Sequence, residues 1–316
     1  MIELLPGVYQ IETELGASRL CLYLLQGERT LLVDSGVRDT PAVISSALAE
    51  VGLHQPIDLL LVSHADADHH GGNAAVNTRW PGVLIICHEL DRPRVESRDI
   101  HLRERYTAVV AADDLRYDPE LMAWLADMIG SDTPVQIGLR GEETIGLGDG
   151  VSYEILHTPG HTAGHLALWD PARRVLIAQD AVLGRGVPDR WGTMQSPPPY
   201  YDVASYLATI ARLQALEPEW LLTAHYPILR RAEAAEFLAT SCAFVAQVES
   251  AVLDALRAAR RPLPLSAIVA LVDDRLGPFE LRIQWVGPVL AHLEQHVAAG
   301  RARMQMAEGG RTWEAL

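Results

Sequence analysis

The stretch "SHADADHHGGN" (Ser63–Asn73) places three histidines and two aspartates within its first eight residues and follows them with two glycines and an asparagine. It comes directly after "IDLLLV" (57–62), a short continuous apolar run of the kind a strand covered on both faces requires. The motif therefore sits on the loop leaving a buried strand. Aspartates and histidines interleaved on one turn would repel one another or stay strongly hydrated unless a cation neutralised them. Zinc and iron take imidazole nitrogen and carboxylate oxygen as ligands, and hydrolytic sites keep one position open for water.

The same arrangement recurs further along the chain. His161 lies in "TPGHTAGH" (158–165) after the strand-like "YEILH", Asp180 ends "VLIAQD" (175–180), and His225 ends "LLTAH" (221–225). Each candidate follows an apolar strand, which is how a rigid scaffold gathers ligands along one edge. Any one of these residues alone would read as a cap, a turn or a hydrogen-bonded histidine. His54, His88, His101, His157, His292 and His296 have no spacing that calls for a metal, and His70, next to His69, is expected to face elsewhere.

Composition narrows the class. The chain has 316 residues, 49% of them apolar, enough for a large core. The formal charge of −15 argues against nucleic acid or an anionic membrane as a general partner. All 26 basic residues are arginine, which excludes lysine-nucleophile and Schiff-base chemistry. Cys21, Cys87 and Cys242 are far apart and odd in number, so they read as reduced thiols rather than a disulfide framework. The start "MIELLPGVYQIE" has no basic n-region or long apolar segment, and no run approaches the roughly 18 apolar residues of a membrane helix. A cytoplasmic, soluble protein is the expectation, with a homodimer as its assembly.

Residues 7–35 read as consecutive strands, followed by a helix over "AVISSALAEV" that Asp39 or Thr40 could cap and Gly52 ends. Residues 92–141 are charged and helix-favouring, and read as a helical insertion without strands. Strands resume from 151. "RGVPDRWGTMQSPPPYY" (185–201) is a Pro/Gly/aromatic loop, a helix follows at 202–216, and one more strand precedes His225. Beyond about residue 240 three helices and a hairpin around Gly309-Gly310 resemble a winged helix-turn-helix. The expected division is 1–240 and 241–316.

"HADADH" (64–69), followed by "TPGHTAGH", a strand-terminal Asp and a strand-terminal His, resembles the metallo-β-lactamase superfamily, whose pattern is H-x-H-x-D-H with later His, Asp and His at strand ends. The resemblance covers about residues 6–230 and includes "GVYQI" (7–11) and "LLVDSG" (31–36). It implies an α/β fold, an αββα sandwich with two metals at one edge, here with the small C-terminal winged-helix-like domain appended. It also implies that His64 and His161 hold the first metal, that Asp68, His69 and His225 hold the second, and that Asp180 bridges both. Asp66 stands where the family usually has histidine. A carboxylate there is a harder ligand and lowers the net charge of the first site. Zinc is the first expectation for the two divalent ions, with iron or manganese opened by Asp66. The alternative turns Asp66 away and leaves the first position weak. Asp34 is expected to support the metal loop from behind, and Thr158 and His165 to orient ligands. Trp191, Met194, Tyr200 and Tyr201, between Asp180 and His225, are candidates for lining a substrate pocket.

The function implied is hydrolysis of a small acyl substrate, a thioester, a lactone or a related ester. A metal-bridged hydroxide would be the nucleophile, and Asp68 and Asp180 would act at the reacting centre. No GxSxG elbow offers a serine alternative. Three other classes stay open: a non-catalytic metal-binding or scaffold protein, against which the complete ligand set argues; a di-iron redox enzyme or oxygenase, suggested by Asp66; and a nuclease or nucleic-acid-binding protein, suggested by the C-terminal region. Against the last, acidic and arginine residues roughly balance there, so salt-dependent nucleic-acid binding should be weak or absent.

Overall fold

The computed structural model describes residues 1–53 and 55–316; His54 lies outside the described residues. A seven-stranded sheet runs in spatial order β1 (Ile2–Leu5), β2 (Val8–Leu15), β3 (Ser18–Gln26), β4 (Thr30–Val33), β5 (Leu59–Leu61), β6 (Leu84–His88) and β7 (Ile137–Leu139). β1 to β4 pair antiparallel, whereas β4 to β7 pair parallel. Period-two alternation builds the layers on either side. In β3, Leu20, Leu22 and Leu24 enter an outer core with Ile44 and Leu48 of α1 (Thr40–Glu50), whereas Cys21, Tyr23 and Leu25 enter the core between the sheets. α2 (Ala67–His70) is a single turn that begins within the histidine-rich loop, and α3 (Asn73–Arg79) follows it.

Between β6 and β7 lie α4 (Arg92–Glu96), α5 (Arg98–Leu102), a π-helical turn over Arg103–Thr107, and α6 (Pro119–Met128). Asp118 caps α6, accepting from the Glu120 and Leu121 amides, with Pro119 in the first turn. The insertion expected over 92–141 is helical, but it also contains β7. Three residues are too few to show a strand period, and β7 forms by pairing with β6 rather than by local propensity.

The second sheet contains β8 (Thr144–Gly148), β9 (Val151–His157), β10 (Leu166–Asp170) and β11 (Val175–Ile177). After a hairpin, β12 (Val187–Pro188) and β13 (Met194–Ser196), come α7 (Val203–Ala215), β14 (Trp220–Leu222), β15 (Leu229–Arg230) and α8 (Ala232–Ala259). The sheet order is β15-β14-β11-β10-β9-β8. Leu166 and Leu168 of β10 face the first sheet, and Ala167 and Trp169 face α7 and α8. Two sheets lie face to face with helices outside each, an αββα sandwich. The parallel strands β4, β5, β11 and β14 end at one edge, so the loops after them converge there.

The boundary expected at 240 falls inside α8, which is one continuous helix of 28 residues. α8 is also long and apolar enough to cross a membrane, contrary to the sequence expectation. Here Phe244, Val248, Val252 and Leu256 are covered instead by α9 (Leu265–Leu276) and α10 (Val286–Ala298). A small sheet of β16 (Leu263–Pro264), β18 (Gly310–Ala315) and β17 (Ala302–Ala307) completes this region. Its core is shared with the insertion: Tyr106, Val110, Leu125 and Met128 pack with Phe244, Trp285, Leu293 and Trp313. Arg311 adds a two-pronged ion pair to Asp113, at 2.9 and 2.6 Å.

Trp285 is fully buried at this junction and donates from its indole to Asp273 at 3.0 Å. Trp285→Ala should destabilise the protein by roughly 3–5 kcal/mol in urea denaturation. Because insertion and C-terminal helices share one core, their unfolding should coincide when followed by separate probes. Two separated transitions would contradict the shared core.

Candidate metal centre

The loops after β4, β5, β9, β11 and β14 bring Asp34, the Ser63–His70 motif, His161, Asp180 and His225 to the common edge. Among the described residues, three overlapping groups have ligand atoms within 4.8 Å of one another: His64–Asp66–His161, Asp68–His69–His225, and His64–His69–Asp180. Oδ2 of Asp180 is the common point. It lies 3.3 Å from Nε2 of His225, 3.5 Å from that of His69, and 4.0 Å from those of His64 and His161. The seven sequence candidates thus share one site, in the two groups expected of two metal positions.

Each imidazole is aimed by a bond at its other nitrogen. Nδ1 of His69 is 2.8 Å from Asp34 Oδ2, and Nδ1 of His64 is 2.9 Å from the Ser63 hydroxyl. Nδ1 of His161 donates to the Pro199 carbonyl at 2.5 Å, and Nδ1 of His225 to the Arg19 carbonyl at 2.8 Å. All four Nε2 atoms are left facing inward. Asp34 organises the centre: it also accepts from the Ser63 amide and hydroxyl and from the Gln179 side chain, at 2.6, 2.8 and 2.5 Å. Asp34 (φ 65°) and Gln179 (φ 44°) are both left-handed, a conformation costing such residues roughly 1–3 kcal/mol each and found where a site over-determines the backbone. Gly71 and Gly72 serve close approach rather than a left-handed turn. A Cβ at Gly71 would overlap the Met128 carbonyl oxygen, and one at Gly72 would overlap that of Ser35.

The charge pattern fits a cation. Nε2 of His64, His69 and His161 and Oδ1 of Asp180 are buried without hydrogen-bond partners among the described residues. Leaving several such groups unpaired would cost more than a fold tolerates, so the donor set fits a divalent metal. Burial opposes ionisation of Asp180, but His225 and His69 overcome it and hold the carboxyl well below the usual range. Burial, reinforced by neighbouring imidazoles, keeps His64 neutral, the form that binds metal. Burial pushes Asp68 above the usual carboxylate range in spite of His69 and His225.

Three supporting residues escaped sequence reading. Arg105, on the π-helical turn, reaches Asp66 with Nη2 at 2.7 Å from Oδ2 and Nε at 2.6 Å from Oδ1. Asp91 ties two ligand loops together, accepting from the Ala65 amide, the Thr162 hydroxyl and the Gly164 amide. Gln179 is the third. In sequence, Arg105 is one of several arginines in and around "RDIHLRERY" (98–106), and nothing local distinguishes it. His165 is buried, bonded to Thr158 at 2.8 Å and stacked on His64. His70 turns away from the centre and contacts His101 at 3.2 Å.

A cavity of about 120 Å³ opens over Asp66, Asp68, His161, Asp180 and His225. Its walls come from Leu15, from Trp124, Leu125 and Met128 of α6, and from Leu281 and Gln284 of the C-terminal region. The four loop residues expected to line it do not. Trp191 is 77% exposed, Met194 packs towards Tyr226, Tyr200 is buried against His292, and Tyr201 lies under Arg105. The same loop instead contributes Gln195, Ser196 and Pro199.

A family model described as the metallo-beta-lactamase superfamily matches residues 18–225, about two thirds of the chain. The probable metallo-hydrolase YflN of Bacillus subtilis (strain 168) is 26% identical over 209 residues, 62% of this chain and 74% of that protein. The acyl-coenzyme A thioesterase MBLAC2 of Gallus gallus is 25% identical over 225 residues, 66% and 73% of the respective chains. Among solved structures, the metallo-beta-lactamase family protein TTHA1429 from Thermus thermophilus matches with a TM-score of 0.76 at 22% identity, over 99% of this chain and 100% of that one. A beta-lactamase domain protein from Burkholderia ambifaria gives 0.77 at 20%, over 100% and 93%. The chain belongs to the metallo-beta-lactamase superfamily. Within that superfamily it is a metal-dependent hydrolase, with His/Asp clusters able to bind the divalent ions.

Asp34→Asn keeps the shape but weakens the hold on His69 and Ser63. Metal affinity should fall on the order of 10- to 100-fold in competition with a chromophoric chelator. An unchanged affinity would show that Asp34 does not aim the ligands.

Proposed function

We propose that the protein hydrolyses a small acyl substrate of the thioester or lactone class, using two divalent cations, zinc first among them. His64, Asp66 and His161 would hold one cation, Asp68, His69 and His225 the other, and Asp180 would contact both. The bound metals would supply Lewis acidity and a water made acidic enough to attack near neutral pH. The observation that carries the reading is the composition of the cavity: carboxylates and imidazoles form its floor, and apolar side chains from the insertion and the C-terminal region form its walls.

The protein's own groups then have distinct tasks. Leu15, Leu125 and Met128 exclude water from the acyl group and take up an apolar chain. Asp68 lines the cavity 3.6 Å from both His69 and His225, where it can pass a proton to a departing thiolate or alkoxide. Asp180 keeps both ligand groups together through one oxygen atom. Among the described residues, none that lines the cavity is an arginine that could hold a polyanion, and Arg105 beside it is engaged with Asp66. The name of the chicken relative, an acyl-coenzyme A thioesterase, agrees with an acyl substrate.

The test is a panel of short acyl thioesters and lactones, with phosphodiesters as the contrast. Thioester or lactone cleavage should be lost with a chelator, return with Zn²⁺, and disappear in Asp180→Ala together with full metal loading. Activity confined to phosphodiesters would overturn the substrate class, and full activity in Asp180→Ala would overturn the role of that residue.

A further inference from the structure

Asp66 is claimed from two sides. Its Oδ2 faces the metal edge, 3.0 Å from Nε2 of His161 and 3.8 Å from that of His64. The same oxygen accepts from Nη2 of Arg105 at 2.7 Å, while Nε of Arg105 lies 2.6 Å from Oδ1. Arg105 cannot readily withdraw. It is only 5% exposed, its guanidinium lies 4.4 Å from the ring centroid of Tyr201, and Nη1 donates to the His161 carbonyl at 3.4 Å. It sits on the π-helical turn, a local distortion that sets its reach. By contrast, the corresponding carboxylate of the other group, Asp68, has no arginine partner among the described residues.

We propose that Arg105 makes the two metal positions unequal: it ion-pairs with Asp66 in the metal-free protein and lowers the affinity of the His64–Asp66–His161 position relative to the Asp68–His69–His225 position. The inference rests on the two-cation reading above. Two effects follow from one guanidinium. As a fixed positive charge beside the position, it opposes a dication there and draws electron density from the oxygen the dication would use. As a partner for a nearly buried carboxylate, it lets the loop fold before any metal arrives. An orienting role for Arg105 would have the opposite sign, raising affinity by aiming Asp66. The backbone already does that work. The Asp66 carbonyl accepts from the His69 and His70 amides at 2.9 and 3.3 Å, and the Ala65 amide is tied to Asp91.

The experiment is a Zn²⁺ titration of metal-free full-length protein against a chromophoric chelator, with thermal melting of the metal-free form in parallel. The wild type should bind two Zn²⁺ with distinct affinities. In Arg105→Gln the weaker site should tighten on the order of tenfold or more while the stronger stays constant, and metal-free Tm should fall by about 5 °C or more. Asp66→Asn should weaken the weaker site further and leave the stronger unchanged, since His64 and His161 remain there. A weaker site unchanged, or weakened, in Arg105→Gln overturns the proposal, the second result by showing that Arg105 orients a ligand. If Arg105→Gln does not fold, Asp66→Asn is compared with Asp66→Asn/Arg105→Gln, which leaves no unpaired buried carboxylate. The double variant must then bind its second Zn²⁺ more tightly than the single; equal or weaker binding overturns the proposal. A wild type that binds no Zn²⁺ would instead sink the metal-centre reading itself.

Discussion

Everything at the catalytic edge depends on the crowding of charge around one oxygen atom. Oδ2 of Asp180 lies within 4.0 Å of four imidazole Nε2 atoms, three of them buried without partners among the described residues. The hydrogen bonds among the described residues leave that set unsatisfied, and the other nitrogen of each ring is already committed elsewhere. A cation does satisfy it. The rest of the fold can be understood as the scaffold that keeps these groups from relaxing apart: parallel strands ending at one edge, Asp34 and Gln179 held in left-handed backbone, and Asp91 joining two loops.

Asp66 shows how a single exchange of ligand type spreads through such a centre. A carboxylate in place of an imidazole brings negative charge into a nearly buried position. The protein meets it with a buried guanidinium drawn from an insertion 39 residues later in the chain. The insertion is therefore more than a cover. It supplies Arg105 to Asp66 and the apolar wall of α6 to the cavity. It is braced in turn by the C-terminal region through the shared core around Trp285 and the Arg311–Asp113 pair. Leu281 and Gln284 reach the cavity as well, so three separate parts of the chain shape the space in which substrate would sit.

The ligands were legible in the sequence because each follows an apolar strand, and strand ends at one sheet edge must come together. "LLLVSH", "VLIAQD" and "LLTAH" carry both halves of that inference, the strand and the residue at its end. What escaped was information that does not live in local pattern. Arg105 and Asp91 act through contacts 39 and 26 residues away, and nothing in their own neighbourhoods distinguishes them from other charged loop and helix residues. The loop 185–201 was placed correctly near the site, but its aromatic residues were the wrong ones to choose. Gln195 and Ser196 reach the cavity, while Tyr200 and Tyr201, beyond the hairpin, serve the core and Arg105. Likewise β7 forms by pairing, and α8 runs through the change of composition at residue 240 because one buried stripe of the helix enters the sandwich core at its start and the C-terminal core at its end.

The most direct measurement is anomalous X-ray scattering from crystals of protein purified without chelators and soaked in Zn²⁺, recorded on both sides of the zinc edge. The account predicts two peaks flanking the Asp180 carboxylate, one among His64, Asp66 and His161 and the other among Asp68, His69 and His225. A map with no peak at this edge, the same side chains in place and zinc freely available, would contradict it.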